Sequence, residues 1–341
     1  MRCRYAGEKE DNRMATIVIG LGSMGKRRIR ILKKLFPGMK IVGIDSNEKR
    51  AKAVGEEYGI TTYKTLQVAL DEGDAKIAFV STGPSSHAAI IEQCLQAELH
   101  VFTEINLLKK GYETNMHLAK EKKKELFLSS TFLYRKEIQY IKDKVKGNNC
   151  SLNYSYHVGQ YLPDWHPWEK IHEYFVGHKE TNGCREIFAI ELPWLVKVFG
   201  EIEDVTVLAG SNTTLDIDYR DNYLVLLKHE TGHKGMLAVD VMSRKPVRNL
   251  EVFGEDLYMS WNGTPDSLTE YDYANKCDKA IKVYDTVENL EGYSANIIEN
   301  AYEEEVKRFF DAVEKKNKPD YTFEEDFRVL EWIDRIEKRV I

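Results

Sequence analysis

Between His157 and His178 the sequence gathers many groups able to hold or move a proton: His157, Tyr161, Asp164, His166, Lys170, His172 and His178, with Trp165 and Trp168 among them. Histidine has a free pKa near neutrality and can serve as acid or base. Aromatic rings beside polar groups suit a carbohydrate, whose C–H faces stack on rings while its hydroxyls need directional partners. His166, Tyr161 and His157 are therefore candidate catalytic residues, and Trp165, Trp168 and Lys170 candidate substrate contacts. The competing reading is a surface segment whose tryptophans anchor it to a sheet. His166, His172 and His178 do not fall on one helical turn, and the five cysteines stand singly. No metal site is expected from them.

A second cluster is Gly20-Leu21-Gly22-Ser23-Met24-Gly25, a G-x-G-x-x-G that follows the apolar run "TIVIG" and opens the helical pattern "MGKRRIRILKKLF". Gly20 allows a tight turn, Gly22 lets backbone approach a pyrophosphate, and Gly25 lets helix and strand pack closely. The helix N-terminus offers unpaired N–H groups to the phosphates. Asp45 ends the next apolar run, "KIVGID", where a carboxylate grips a ribose diol. These residues point to NAD, because a charge at Asp45 repels a 2′-phosphate. Lys49 and Arg50 keep NADP open.

The elements that must position these groups fall into two grammars. From residue 14 to about 134, continuous apolar runs alternate with helical patterns, including "KIAFVST", a helix from about Ser85 to Ala97, "HVFTEI", a helix at about 111–123 and "ELFLSS". That order predicts βαβ units and a doubly wound parallel sheet, a Rossmann domain. From 135 to 341 a helix over Arg185–Phe199 precedes a series of strand-like runs, "DVTVLAG", "NYLVLLKH", "KGMLAVDVMS", "RNLEVFGE", "DLYMSWNG", "SLTEYDY" and "AIKVYD", and two closing helices at about 297–315 and 323–339. The turns between them predict a largely antiparallel open sheet in an α+β domain for substrate and oligomerisation. Residues 1–13 are polar and read as a flexible tail.

At "STGPSSHA" (81–88) and "TEINL" (103–107) the chain resembles the Gfo/Idh/MocA family of oxidoreductases, and "VGQYLPDWHPWEKI" with "NGCREIFAIELPWLVKVFG" resembles its sugar-nucleotide and surface-polysaccharide branch. The resemblance implies that Ser81, Thr82, Pro84 and His87 border the cofactor with Gly20, Gly22, Ser23, Met24, Gly25 and Asp45. It implies that Glu104 matches the glutamate of the family's Glu-Lys-Pro motif, with Ile105 in place of its lysine and Asn106 in place of its proline, and that Glu104 and Asn106 also border the cofactor. It sets Glu186 at the family's second-motif aspartate, Ile190 at its histidine and Pro193 at a further aspartate. Both proton-handling positions are thus isoleucine, which can neither give nor take the proton that must accompany a hydride. Glu191, next to Ile190, is a further catalytic candidate, and Arg185 a candidate grip for a substrate carboxylate or phosphate. Lys109 and Lys110 follow the same turn as Ile105.

Composition is that of a soluble globular chain: 43% apolar and 30% charged, too apolar for disorder, with a net charge of −6 that argues against nucleic acid. No apolar run reaches the length of a membrane span, and scattered single cysteines suit the cytoplasm. The expectation is an NAD(P)-dependent oxidoreductase acting on a sugar or sugar-nucleotide hydroxyl or carbonyl with an altered proton relay, in a homodimer or homotetramer. Two alternatives stay open: a nucleotide-binding regulatory homologue without turnover, and an NAD-retaining epimerase or lyase.

Overall fold

The computed structural model describes residues 15–71, 73–290 and 296–338; the N-terminal tail lies outside them. The chain divides into two compact units: the described residues up to Ser129 with Tyr302–Glu325, and Ser130–Ala301 with Asp326 to the end of the described chain.

The first unit holds six strands, β1 (Ala15–Ile19), β2 (Ile41–Ile44), β3 (Thr61–Tyr63), β4 (Ala75–Val80), β5 (His100–Thr103) and β6 (Leu126–Leu128). They pair in the order β3-β2-β1-β4-β5-β6, every pair parallel. β1 and β2 are buried along their whole length, as strands covered on both faces must be. The crossovers are α1 (Ser23–Leu35), α2 (Glu48–Tyr58), a short α3 (Leu66–Asp71), α4 (Pro84–Gln96) and α5 (Tyr112–Lys122). α2 is capped by the Asn47 side chain, which accepts from the Arg50 amide, and ends at Gly59 in the left-handed region. Strand order reverses between β1 and β4, which opens a crevice at their carboxyl ends.

In the second unit, α6 (Lys136–Lys146) was not foreseen from the sequence. It leads to β7 (Asn153–Gly159) and, after a run of 3₁₀ turns over 162–181, to α7 (Gly183–Phe199). Seven strands follow: β8 (Ile202–Gly210), β9 (Asn222–His229), β10 (Lys234–Asp240), β11 (Val247–Phe253), β12 (Tyr258–Trp261), β13 (Thr269–Asp272) and β14 (Cys277–Ala280). With β7 they form an eight-stranded sheet in the order β14-β13-β12-β11-β7-β10-β9-β8. Only the β7–β10 pair is parallel. β8, β9 and β10 alternate buried and exposed residues, so one face carries the core and the other stays open. The last strand ends at Ala280, where the expected run "AIKVYD" only begins, and β14 is exposed throughout. The closing helices are α8 (Glu299–Val313) and α9 (Phe323–Lys338). Among the described residues no helix is long and apolar enough to cross a membrane.

Candidate active site

The dinucleotide end is built wholly within the first unit. Gly20 has φ +89°, and a Cβ there would stand 2.6 Å from the Ser81 carbonyl oxygen. A Cβ on Gly25 would stand 1.9 Å from the Gly20 carbonyl oxygen, so α1 can start against the turn only through glycine. At Gly22 a Cβ would meet nothing within 4 Å, which leaves backbone open for a phosphate. Ser23 and Met24 open α1, and Met24 Sδ accepts from Arg27 Nη1 at 3.2 Å.

Asp45 closes β2 and is buried. Its Oδ2 accepts from the Leu21 amide at 2.9 Å and its Oδ1 from the Asn47 amide at 2.8 Å. Arg50 adds a bidentate grip, Nε to Oδ2 at 2.7 Å and Nη2 to Oδ1 at 3.0 Å. Burial works to raise the Asp45 pKa, but the hydrogen bonds from Arg50, Leu21 and Asn47 outweigh it and hold the carboxyl below its usual range. Open backbone at Gly22, the α1 N-terminus and an ionised strand-end carboxylate fit a dinucleotide.

After β4, the Thr82 and Ser86 hydroxyls lie 2.8 Å apart, and Pro84 is in the first turn of α4. His87 Nε2 lies 2.8 Å from the Thr82 carbonyl oxygen, to which it donates. Its Nδ1 lies 2.7 Å from the Asn106 side-chain amide, and burial lowers its pKa. A neutral ring that donates from Nε2 must accept at Nδ1, which orients the Asn106 amide nitrogen toward the ring and gives that buried nitrogen its partner. Asn106 thus ties the "EINL" turn to the Thr82 loop. Glu104 faces the other way: Arg28 donates Nε to Oε1 at 2.7 Å and Nη2 to Oε2 at 2.8 Å. The same guanidinium reaches Glu305 Oε2 at 3.0 Å and Ser129 Oγ at 3.2 Å. Ser81 Oγ donates to Glu104 Oε1 at 3.3 Å.

In the second unit the residues singled out above separate into distinct settings. His157 Nε2 donates to Asp240 Oδ2 at 2.7 Å, and Asp240 also accepts from the Met242 and Ser243 amides. Tyr161 lies under the Arg244 guanidinium, 3.6 Å from ring centroid to Cζ. Trp165 donates its indole N–H to the Gln160 carbonyl oxygen. Trp168 is 75% exposed, and Lys170 is exposed with Glu173 at 3.8 Å. His166 packs on Tyr174 with centroids 4.0 Å apart, and its Nδ1 is 3.4 Å from Glu169 Oε2.

Two expectations meet a different environment from the one the sequence suggested. Glu191 is fully buried, its Oε2 accepting from Tyr156 and from the Trp194 indole, both at 2.7 Å, and its Oε1 from Arg248 Nη2 at 2.6 Å. All its partners belong to the protein, so the carboxylate fixes α7 to the sheet. Arg185 is likewise buried and donates to Asp334, at 2.7 Å, and to Glu337 of α9. Its guanidinium is engaged by carboxylates of the chain itself.

Glu186, which the resemblance sets at a second-motif aspartate, has a setting that the sequence does not show. Between Thr181 and Leu195 only Glu186 and Ile190 keep partial exposure. Four residues apart on α7, they share one face. Glu186 Oε2 is sealed from solvent and has no hydrogen-bond partner among the described residues. Burial pushes this carboxyl up to about 8, so it holds its proton at neutral pH. Burial and pairing, not residue type, set this glutamate apart from Glu191.

One motif escaped the metal argument. His229-Glu230-Thr231-Gly232-His233 has a spacing that, on a helix, sets two imidazoles on one face. Here it is the turn from β9 to β10. His229 donates Nδ1 to the Gly200 carbonyl oxygen and accepts from Tyr154 at Nε2, while His233 Nδ1 accepts from the Leu152 amide. Burial lowers both, His229 to about 4, which matches neutral rings in structural bonds.

A parallel six-stranded sheet with a glycine turn and an aspartate at the end of its second strand defines a dinucleotide-binding protein with a mixed α+β second unit. Residues 14–131 match the model of the oxidoreductase family with an NAD-binding Rossmann fold, Gfo/Idh/MocA. Biliverdin reductase A of Homo sapiens is 26% identical over 264 residues, 76% of this chain and 79% of its own. The UDP-N-acetylglucosamine 3-dehydrogenase GnnA from Acidithiobacillus ferrooxidans shares the fold with a TM-score of 0.76 at 18% identity, over 96% of this chain and 97% of its own. The WlbA dehydrogenase from Bordetella pertussis, in complex with NADH and UDP-GlcNAcA, has a TM-score of 0.74 at 14% identity over 96% of both chains.

Proposed function

We propose that this chain is an NAD(P)-dependent oxidoreductase acting on a sugar or sugar-nucleotide hydroxyl or carbonyl, with a proton relay different from that of the family it resembles. The carrying observation is the glycine turn with open backbone at Gly22 beside an ionised Asp45. The NAD-binding family of residues 14–131 supports the cofactor, and full-length similarity to GnnA and WlbA supports the substrate class. When bound, the nicotinamide supplies or accepts the hydride. The residues of this chain hold it: Gly20, Gly22, Ser23, Met24 and Gly25 on the phosphate side, Asp45 at the ribose, and the Ser81, Thr82, Pro84 and His87 loop with Asn106 beyond. Exposed Trp168, with His166 and Trp165 in the same segment, offers a sugar both a ring face and polar partners.

A second reading, reduction of a biliverdin-like acceptor, is supported by the match to human biliverdin reductase A. Purified protein is to be titrated with NADH and NADPH by cofactor fluorescence, then assayed for cofactor oxidation or reduction against nucleotide sugars and biliverdin. Binding with turnover on a nucleotide sugar supports the first reading, and turnover on biliverdin alone the second. Absence of dinucleotide binding overturns both.

The proposed setting is the cytoplasm, and the proposed assembly is a homo-oligomer. Leu208, Leu224, Leu226 and Met236 are each about half exposed, and the register sets Leu208 opposite Leu224 and Leu226 opposite Met236. This apolar stripe crosses three strands of the open sheet face, a pattern suited to a second copy of the same face.

A further inference from the structure

We propose that Glu186 is the proton-carrying group of the altered relay, with Tyr174 as its positioning residue. The proposal rests on the oxidoreductase reading above.

α7 is otherwise a core helix. From Thr181 to Leu195 every side chain but those of Glu186 and Ile190 is buried, so the helix opens to the outside along one narrow face. Ile190 can do no proton chemistry, which leaves Glu186 as the only ionisable residue on that stretch of face. Its Oε2 is dehydrated and unpaired among the described residues. A structural role does not account for this arrangement. A dehydrated carboxyl oxygen without a partner destabilises the fold, and a leucine or methionine would fill the same volume without that penalty.

The surroundings keep the group protonated yet leave its proton movable. Arg185, its neighbour on α7, is engaged by Asp334 and Glu337. On the facing segment, Tyr174 is held above the ordinary phenol range by burial and then by the charges of Glu186 and Glu169. It therefore stays a donor that can stabilise an ionised Glu186. His166, stacked on Tyr174, is lowered by burial, with Glu169 opposing, and is uncharged at neutral pH.

In the oxidative direction the substrate O–H bond breaks and its proton passes to the Glu186 carboxylate. Bound oxidised NAD would supply the hydride acceptor, so that the C–H hydrogen would leave with its electron pair and a C=O bond would remain. In the reductive direction the Glu186 acid returns the proton to the oxygen as the carbon receives hydride.

The test uses the full chain with Glu186→Gln and Tyr174→Phe variants. Infrared difference spectra of the protein without substrate should show a protonated-carboxyl band at pH 7 that fades as pH rises through about 8 and is missing in Glu186→Gln. With substrate, Glu186→Gln should lose about 10²–10⁴-fold in kcat and lose the alkaline limb of the pH profile, with NADH binding unchanged. Tyr174→Phe, which keeps the ring packing, should shift that limb. The proposal is overturned if the band survives in Glu186→Gln, or if that variant keeps wild-type kcat and pH profile. Failure of NADH to bind the wild type overturns the oxidoreductase reading itself, whatever the infrared band does.

Discussion

Arg28 of α1 holds both carboxylate oxygens of Glu104 at 2.7 and 2.8 Å, from a position with no solvent exposure. The guanidinium lies 4.4 Å over the Phe102 ring and also reaches Glu305 of α8. Burial opposes its charge, but Glu104 and Glu305 raise its pKa well above the usual range. Removing one partner leaves a buried charge without compensation, so Arg28→Met is expected to cost about 3–5 kcal/mol. Urea denaturation read by circular dichroism checks this, and a loss below the usual scatter of such measurements would show the network to be dispensable.

The pH dependence of stability should report Glu186. Its folded pKa, about 8, lies above the ordinary carboxyl value of 4.5, so the folded state binds the extra proton between the two. Stability contributed by that proton is full below about 4.5 and falls as pH rises through 8. Glu186→Gln removes the dependence and should be more stable than wild type at pH 9, by about 2–4 kcal/mol at roughly 1.4 kcal/mol per pKa unit after relaxation. Melting temperatures compared at pH 5 and pH 9 test it. A gap that does not widen with pH contradicts the assignment.

Glu191→Gln should behave in the opposite way. Its carboxylate satisfies Tyr156, Trp194 and Arg248 inside the second unit. Replacement strands the Arg248 charge, so melting temperature should drop while the alkaline limb assigned to Glu186 stays in place. Loss of that limb in Glu191→Gln would reverse the two roles.

Asp45 and Arg50 should set the cofactor choice. Arg50 partly neutralises the carboxylate and is itself about half exposed. Arg50→Ala bares the Asp45 charge, and NADPH affinity should fall about tenfold or more while NADH affinity changes little. Fluorescence titration with both cofactors gives the ratio. Equal losses for the two would mean that Arg50 acts on the fold of the turn rather than on the ribose.

The open sheet face should carry self-association. Leu224→Glu with Leu226→Lys places charge in the centre of the apolar stripe and should yield monomers by light scattering after gel filtration. A wild type that is already monomeric sinks the oligomer proposal.

Much of the first unit was legible because its signals are local. A fully covered parallel strand must be a continuous apolar run, and a glycine at φ +89° against the Ser81 carbonyl oxygen cannot be replaced cheaply. α3 and α6 were missed because they are short or strongly charged, and docking rather than propensity holds them. The β14 error has the same root: "AIKVYD" reads as strand by composition, yet hairpin pairing with β13 fixes the strand at Cys277–Ala280.

By itself the sequence determined the dinucleotide turn, the strand-end aspartate and the isoleucines at positions 105 and 190. These are properties of residue identity and near-neighbour spacing. Only the tertiary structure decided which glutamate of α7 is available. Glu191 meets Tyr156 and Arg248 from β7 and β11, 35 and 57 residues away, while Glu186 Oε2 is sealed with no such partner among the described residues. Burial and pairing depend on what distant segments bring to a side chain, and that sets whether a carboxyl is a structural anion or a held proton.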